Sequence, residues 1–311
     1  MKKKILVTGA LGFVGSSICE SFSLNGYDVI GIDNRSKLIG SDKNYELITE
    51  SGSIFYYCDI SNQSQVDGMF NKYGEFDFIF HMASQVSFKK SIESPRNDFE
   101  INLLGTFNLL ENLRIRNSNS LFVYASTNQV YGAVENIPLV ETETRYDFKE
   151  LKKGISEQFP LDFLSPYGCS KGGGEIYSID YARVYGIKSC IVRFGGIYGK
   201  NQYSTEDHGW VSYITNMIRL NQSYNRFGHG KQIRDILYID DIISAMYKIT
   251  LNNNLKSGDI FNIAGGPDNT LSVLELIKLV ENITGNKSKD KILDMRKADK
   301  VVMYLDISKA K

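Results

Sequence analysis

A glycine-punctuated loop, Thr8-Gly9-Ala10-Leu11-Gly12-Phe13-Val14-Gly15, follows directly on a short apolar run, Ile5-Leu6-Val7, near the start of the chain. Glycines at this spacing, between a strand and the helix it feeds, meet three backbone demands: a tight turn, close approach to a pyrophosphate, and close helix–strand contact. The opening helix offers unpaired N–H groups and the positive end of its dipole to phosphates. Glycine also marks plain turns, so the pattern needs context. Further apolar runs follow at Asp28–Ile32, Ile54–Tyr57, Phe76–Phe80, Leu121–Tyr124 and Ser189–Arg193. Between them lie segments with helical spacing, such as Ile101, Leu104, Phe107, Leu110 and Leu113. Strands alternating with helices imply parallel pairing and right-handed crossovers. Runs that are apolar at nearly every position suit a sheet covered on both faces.

The predicted fold is therefore α/β, a doubly wound parallel sheet of Rossmann-like type with a smaller C-terminal substrate-binding lobe. The later chain changes character: residues 195–232 hold loops rich in Gly, Asn and Tyr around one helical stretch, Val211–Leu220. A strand at Ile260–Ile263 and a helix at Ser272–Thr284 follow. The expected division is a dinucleotide-binding domain over 1–194, and a mainly substrate-binding lobe over 195–311 with some segments returning to the sheet. Ligands in such sheets bind outside the carboxyl ends of the strands. Glu141–Ser165 is a long charged connection of the kind often used in function.

Charge excludes several classes. Lys plus Arg total 36 and Asp plus Glu total 36. No global field favours nucleic acid or an anionic membrane, and neither is an expected partner. No stretch approaches the roughly 20 apolar residues of a membrane span. Cys19, Cys58, Cys169 and Cys190 show no CxxC spacing and there are three histidines, so no metal site is expected. The thiols read as reduced and the protein as cytoplasmic. Lys2, Lys3 and Lys4 before an apolar run imitate a secretion signal. The glycines that punctuate that run, and the strand that cleavage would remove, argue for no targeting signal.

Asp33 ends the second strand, near the roughly 20-residue offset of an acid that binds an adenosine ribose. A carboxylate there repels a 2′-phosphate, so NAD is expected over NADP, with Arg35 working against it. Asp59 and Ile60 end the third strand, within reach of an adenine. The expected cofactor contacts are Gly9, Gly12, Phe13, Val14, Gly15, Asp33, Asn34, Asp59, Ile60, Ala83 and Asn102, together with Tyr167 and Lys171.

Tyr167 and Lys171 stand four residues apart behind Pro166, a helix-start signal, and so share one helix face. An ammonium beside a phenol favours phenolate, which gives a base near neutral pH. Ser126 and Thr127 leave a strand end, where hydroxyls reach a substrate. Gly172, Gly173 and Gly174 follow; each costs a helix about 0.8–1 kcal/mol relative to alanine. That cost points to close packing, or to a locally irregular helix.

With Gly9–Gly15, His81–Val86, Ser126-Thr127-Asn128, Leu161-Asp162-Phe163 and Gly230–Asp235, the chain resembles the extended short-chain dehydrogenases/reductases over essentially its whole length. The similarity is to their nucleotide-sugar epimerase and dehydratase group. Glu141–Tyr146, Ser165–Gly172 and Asp207–Val211 are similar to a narrower set acting on CDP-linked deoxysugars. The resemblance implies an enzyme that holds NAD tightly, oxidises a sugar carbon to a ketone and returns hydride to its other face. Tyr167 would take the hydroxyl proton, Thr127 would bond the same oxygen and Lys171 would tune Tyr167. The expected substrate is a nucleotide sugar, CDP-linked on the narrower similarity, with inversion at C2 of a 3,6-dideoxyhexose. Arg234 and Arg296 match positions that clamp the diphosphate, and Gln85, Ser126, Asn128, Trp210 and Phe227 complete the expected substrate contacts. Dehydratases of the group carry Asp-Glu where this chain has Asn128 and Gln129, and an amide cannot shuttle a proton as a carboxyl does. Gly195 and Gly196 depart from the polar residues common in relatives. The resemblance also implies a homo-oligomer, a dimer or tetramer. Two alternatives stay open: a 4-epimerase or net oxidoreductase on another nucleotide sugar, and a non-catalytic NAD-binding regulator.

Overall fold

The computed structural model describes residues 2–37, 39–116, 118–132, 134, 136–296 and 300–311. β1 (Lys4–Thr8), α1 (Phe13–Leu24), β2 (Asp28–Asp33), α2 (Ser41–Glu50), β3 (Ile54–Tyr57), α3 (Gln63–Tyr73) and β4 (Phe78–His81) alternate. α4 (Phe88–Glu93), α5 (Pro95–Phe99), a π-helical turn (Glu100–Leu104) and α6 (Gly105–Ile115) lead to β5 (Leu121–Thr127). β6 (Leu139–Glu141) and β7 (Tyr146–Phe148) precede α7 (Pro166–Tyr185), β8 (Ser189–Phe194) and β9 (Gly196–Tyr198). α8 (Trp210–Arg219), β10 (Tyr224–Phe227), β11 (Ile233–Tyr238), α9 (Ile239–Leu251) and β12 (Asp259–Ile263) come next. β13 (Thr270–Ser272), α10 (Val273–Thr284), β14 (Asp290–Leu293) and β15 (Val302–Met303) end the run.

The chain divides into two compact units, one of residues 1–127, 165–193 and 239–261, the other of 128–164, 194–238 and 262–311. The first is built on a seven-stranded sheet of order β12-β8-β5-β4-β1-β2-β3. β1 pairs in parallel with both β2 and β4, so the strand order reverses there. Such a switch point is where doubly wound sheets bind ligands, and the glycine loop leaves β1 at that place. Ile5, Leu6 and Val7 are fully buried, as a sheet covered on both faces requires. Leu6, Ile30, Ile79 and Phe122 from the strands pack with Leu109, Leu110 and Leu113 of α6. Each such side chain contributes roughly 1.5–3 kcal/mol by leaving water. α9 belongs to this unit because Tyr247 stacks on Phe22 of α1, ring centroids 4.0 Å apart.

In the second unit β11 pairs antiparallel with β13 and in parallel with β15 and β9. Asp235 in β11 is fully buried. Its carboxyl accepts the N–H groups of Leu305 (3.0 Å) and Gly266 (3.3 Å), while burial pushes it up to about 7. The sequence pattern places 128–164 in the first domain. In the structure Val130, Tyr131, Phe148 and Ile155 bury with Ile233, Met303 and Leu305 of this unit. The hairpin β6–β7 is tied to α10 by Arg145, whose guanidinium binds the Glu275 carboxylate, and Glu275 also closes the capping box at Ser272.

Candidate active site

The glycine loop is shaped by backbone crowding. Gly9 has φ +68° and a Cβ there would lie 2.7 Å from Ala83 Cα, while a Cβ on Gly15 would overlap the carbonyl oxygen of Gly9. Gly12 differs: a Cβ on it would meet only Gly9 O, at 3.1 Å. Its other side is open. Gly12 is also the N-cap of α1 and no side chain caps that helix, so the first-turn N–H groups of Phe13 and Val14 are left for an anion. This open, uncapped cradle fits a pyrophosphate.

At the end of β2, Asp33 accepts the N–H of Leu11 (3.1 Å) and of Arg35 (2.7 Å). Burial raises its pKa, and those two bonds work the other way. The Arg35 guanidinium turns to Asp42 at 2.7 Å, so it is paired with an acid rather than left for a 2′-phosphate. Asn34 donates to Asp59 at 2.9 Å, and Ser61 donates to Asp59 through N–H and hydroxyl. Burial opposes them, but these bonds hold the Asp59 carboxyl below its usual range. Ile60 is buried, and its carbonyl accepts from Asn108 at 2.9 Å.

A hydrogen-bond chain not foreseen in the sequence runs beneath the loop. Ala83 N–H donates to Thr8 Oγ1 (3.0 Å), Thr8 Oγ1 meets His81 Nδ1 (2.7 Å), and His81 Nε2 meets Thr106 Oγ1 (2.9 Å). Thr106 then donates to the Asn102 carbonyl at 2.6 Å. Those directions assign the proton to Nε2 of a neutral imidazole. Burial, with the nearby Lys171, holds His81 well below its ordinary value. Asn102, expected at the cofactor, uses its side chain on the 84–85 turn: Oδ1 accepts Gln85 N–H at 2.8 Å and Nδ2 donates to Gln85 O at 3.0 Å.

Tyr167 opens α7. Pro166 sits in its first turn and the Ser165 hydroxyl caps it by accepting Gly168 N–H at 3.1 Å. Tyr167 is 8% exposed and Lys171 2%. Thr127, at the end of β5, hydrogen-bonds the Tyr167 hydroxyl. Burial pushes Tyr167 up to about 12, and the Thr127 bond opposes it. Burial pushes Lys171 down to about 7, opposed by the charges of Glu175 and Asp98. The expectation of a phenol lowered by its lysine therefore meets a stronger effect: burial disfavours charge on both groups. Lys171 Nζ lies 4.4 Å from the centroid of the Tyr124 ring, and the Tyr124 hydroxyl donates to the Lys171 carbonyl at 3.0 Å. α7 runs unbroken through Gly172, Gly173 and Gly174. A Cβ on Gly174 would overlap the Tyr124 hydroxyl, which identifies close packing as the use of that glycine.

Three expected substrate contacts are placed differently. Ser126, expected at the substrate, donates its hydroxyl to Glu175, which binds Arg193 at 2.6 Å in a pair 3% and 1% exposed. Gln85 Nε2 donates to Ser87 O and to Asp98 Oδ1, both at 2.9 Å. Arg234 donates to the carbonyls of Ile233 (2.7 Å) and Lys300 (2.6 Å), which turns its fork toward backbone. Arg234 belongs to the second unit, as do Asn128, Trp210, Phe227 and Arg296. There the Arg296 guanidinium lies 3.9 Å from the Phe227 ring centroid and 3.2 Å from Asp207. Trp210 opens α8, and Asn128 is buried, its carbonyl accepting from Lys300 Nζ at 3.0 Å.

Among the described residues no group of His, Cys, Asp or Glu could hold a metal, and no helix is long and apolar enough to cross a membrane. A model of the NAD dependent epimerase/dehydratase family matches residues 5–264. The chain is 40% identical to the CDP-paratose 2-epimerase of Salmonella typhi, covering 98% of this chain and 92% of that protein. The UDP-glucose 4-epimerase of Thermotoga maritima, solved with UDP-glucose, is similar with a TM-score of 0.84 at 29% identity, over 99% of this chain and 91% of that one. The UDP-glucuronic acid 4-epimerase of Bacillus cereus, in complex with UDP-glucuronic acid and NAD, has the same TM-score at 26% identity, over 99% and 91%.

Proposed function

Because the chain belongs to the NAD dependent epimerase/dehydratase family and is an NAD-dependent nucleotide-sugar epimerase, we propose that its reaction is inversion at C2 of a CDP-linked 3,6-dideoxyhexose, CDP-paratose to CDP-tyvelose. The observation that carries the chemistry is the buried Tyr167–Lys171 couple, with Thr127 on the phenol. The observation that favours this sugar is the 40% identity along the whole chain to a CDP-paratose 2-epimerase.

NAD would be held by Gly9, Gly12, Gly15 and the N–H groups of Phe13 and Val14, with Asp33 for a ribose and Asn34, Asp59, Ile60, Ala83 and Asn102 beyond. When bound, NAD supplies reversible hydride acceptance and a cationic ring that favours phenolate nearby. Tyr167 takes the proton from the substrate hydroxyl as the carbon is oxidised and gives it back on reduction. Thr127 holds that oxygen in line, and Lys171 keeps positive charge beside the phenol. Asn128 serves the sugar end, while Gln85 and Ser126 act as supports, bonded to Asp98 and to Glu175. Arg296, Phe227 and Trp210 serve the nucleotide and diphosphate, and Arg234 braces the backbone at Ile233 and Lys300. Asn128 and Gln129 supply no carboxyl for water elimination, which favours epimerisation over dehydration. The protein would work in the cytoplasm as a homo-oligomer, supplying an activated deoxysugar for polysaccharide assembly. The exposed apolar Ile176, Tyr177, Val184 and Tyr185 of α7 support self-association.

The test is incubation with CDP-paratose, UDP-glucose and UDP-glucuronate, followed by NMR of the products. CDP-tyvelose without NADH accumulation is the expected result. Inversion at C4 of either UDP-sugar with CDP-paratose untouched would overturn the sugar assignment, and stoichiometric NADH with ketone would overturn epimerisation.

A further inference from the structure

Asp98, in α5, is fully buried. Its Oδ1 accepts from Gln85 Nε2 (2.9 Å) and Asn102 Nδ2 (3.2 Å), and its Oδ2 accepts from Ser170 Oγ (2.6 Å). All three donors are neutral. A carboxylate taken out of water needs such bonds to stay charged. Glu175 makes the contrast: it is equally buried, but Arg193 binds it at 2.6 Å.

The three donors lie where the chemistry is set. Ser170 stands between Tyr167 and Lys171 in α7, and its hydroxyl also reaches the Tyr167 carbonyl at 3.1 Å. Asn102 is in the π-helical turn after α5 and holds the 84–85 turn. One carboxylate thus joins three elements around the couple. The charged and titratable groups facing Lys171 are Glu175 on α7, Asp98 on α5, His81 on β4 and Tyr124 on β5, with Tyr167 four residues before it on the same helix. Burial works against the ammonium of Lys171, and the negative charge of Asp98 works for it.

We propose that Asp98 is a positioning residue for the Tyr167–Lys171 couple: it fixes Ser170, Asn102 and Gln85 on one buried carboxylate, and its charge sets the pH range in which the couple works. The inference rests on the reading of Tyr167 and Lys171 given above. Removing a negative charge lowers the proton affinity of phenol and amine alike. Both limbs of the kcat–pH profile therefore move to lower pH, by on the order of one unit.

The experiment compares wild type, Asp98→Asn and Ser170→Ala as NAD-loaded protein, with CDP-paratose. A second readout needs no substrate: the phenolate absorbance of Tyr167 against pH, taken as the difference from the matching Tyr167→Phe protein. Asp98→Asn should shift both limbs and the phenolate midpoint downward. Ser170→Ala removes a hydrogen bond but no charge, so its rate should fall with the limbs in place. Should the amide introduced by Asp98→Asn disturb folding, Asp98→Ser removes the same charge with a group that both donates and accepts, and it should shift the same way. Unmoved limbs and midpoint in a folded Asp98 variant would leave only a structural role and overturn the proposal. Retained turnover in Tyr167→Phe would instead overturn the underlying reading of the couple.

Discussion

Tyr167→Phe is expected to lower turnover about 10³-fold while the protein keeps its NAD, since a positioned proton-transfer group contributes roughly 10²–10⁴. The change removes one oxygen from a side chain that is 8% exposed, so the aromatic packing is kept. The lost bond to Thr127 costs stability about 1 kcal/mol. The size of the kinetic effect follows from the burial. A phenol pushed up to about 12 is almost wholly protonated near neutral pH, so positive charge must be brought to it before it can accept a proton. Bound nucleotide released on denaturation, measured beside initial rates, separates the two effects. Loss of NAD in step with activity would mean that Tyr167 serves binding rather than proton transfer.

Gly15→Ala is expected to abolish NAD retention and to lower stability by about 3 kcal/mol, the upper range for overpacking a tight site, or roughly 8 °C in Tm. The added methyl would overlap the Gly9 carbonyl oxygen and approach Ala10 Cα within 3.1 Å. Both are backbone, which cannot swing aside, so the start of α1 must move away from the end of β1. Gly12→Ala is the informative comparison. Its methyl meets only one atom, at 3.1 Å, and otherwise projects into the open cradle. It should leave Tm within about 2 °C of wild type and still weaken NAD binding. Equal melting losses in both variants would show that the loop is shaped for folding alone. Thermal melts and the ratio of NAD to protein after desalting give both quantities.

The features legible in the sequence were those that backbone geometry ties to fixed offsets. Gly9, Gly12 and Gly15 stand where a strand must turn sharply into a helix. Tyr167 and Lys171 stand one helical turn apart behind a proline that starts the helix. The alternating apolar runs announced the doubly wound sheet for the same reason, because strand and helix periods are local properties. What escaped was set by contacts distant in the chain. Asp98 and Ser170 are 72 residues apart in sequence, and nothing local marks an aspartate as buried. The segment 128–164 joined the second unit because Tyr131, Phe148 and Ile155 bury against residues beyond 230.

Ser126 shows a different limit. Strand side chains alternate between faces, and Ser126 has the parity of Tyr124, whose hydroxyl reaches the Lys171 carbonyl. Ser126 accordingly turns to Glu175, whereas Thr127, of the other parity, meets Tyr167. The pleat carried that distinction, but choosing between the two hydroxyls required knowing which face α7 covers. Arg35 is similar: its pairing with Asp42 depends on where α2 begins after the loop that follows β2.

The account rests on a carbon-bound hydrogen that leaves and returns without meeting water. CDP-paratose carrying deuterium at C2 should be incubated with the protein in ordinary water and the product examined by NMR. Product inverted at C2 with the deuterium retained is the outcome this account predicts; inverted product in which solvent hydrogen has replaced the deuterium would contradict it.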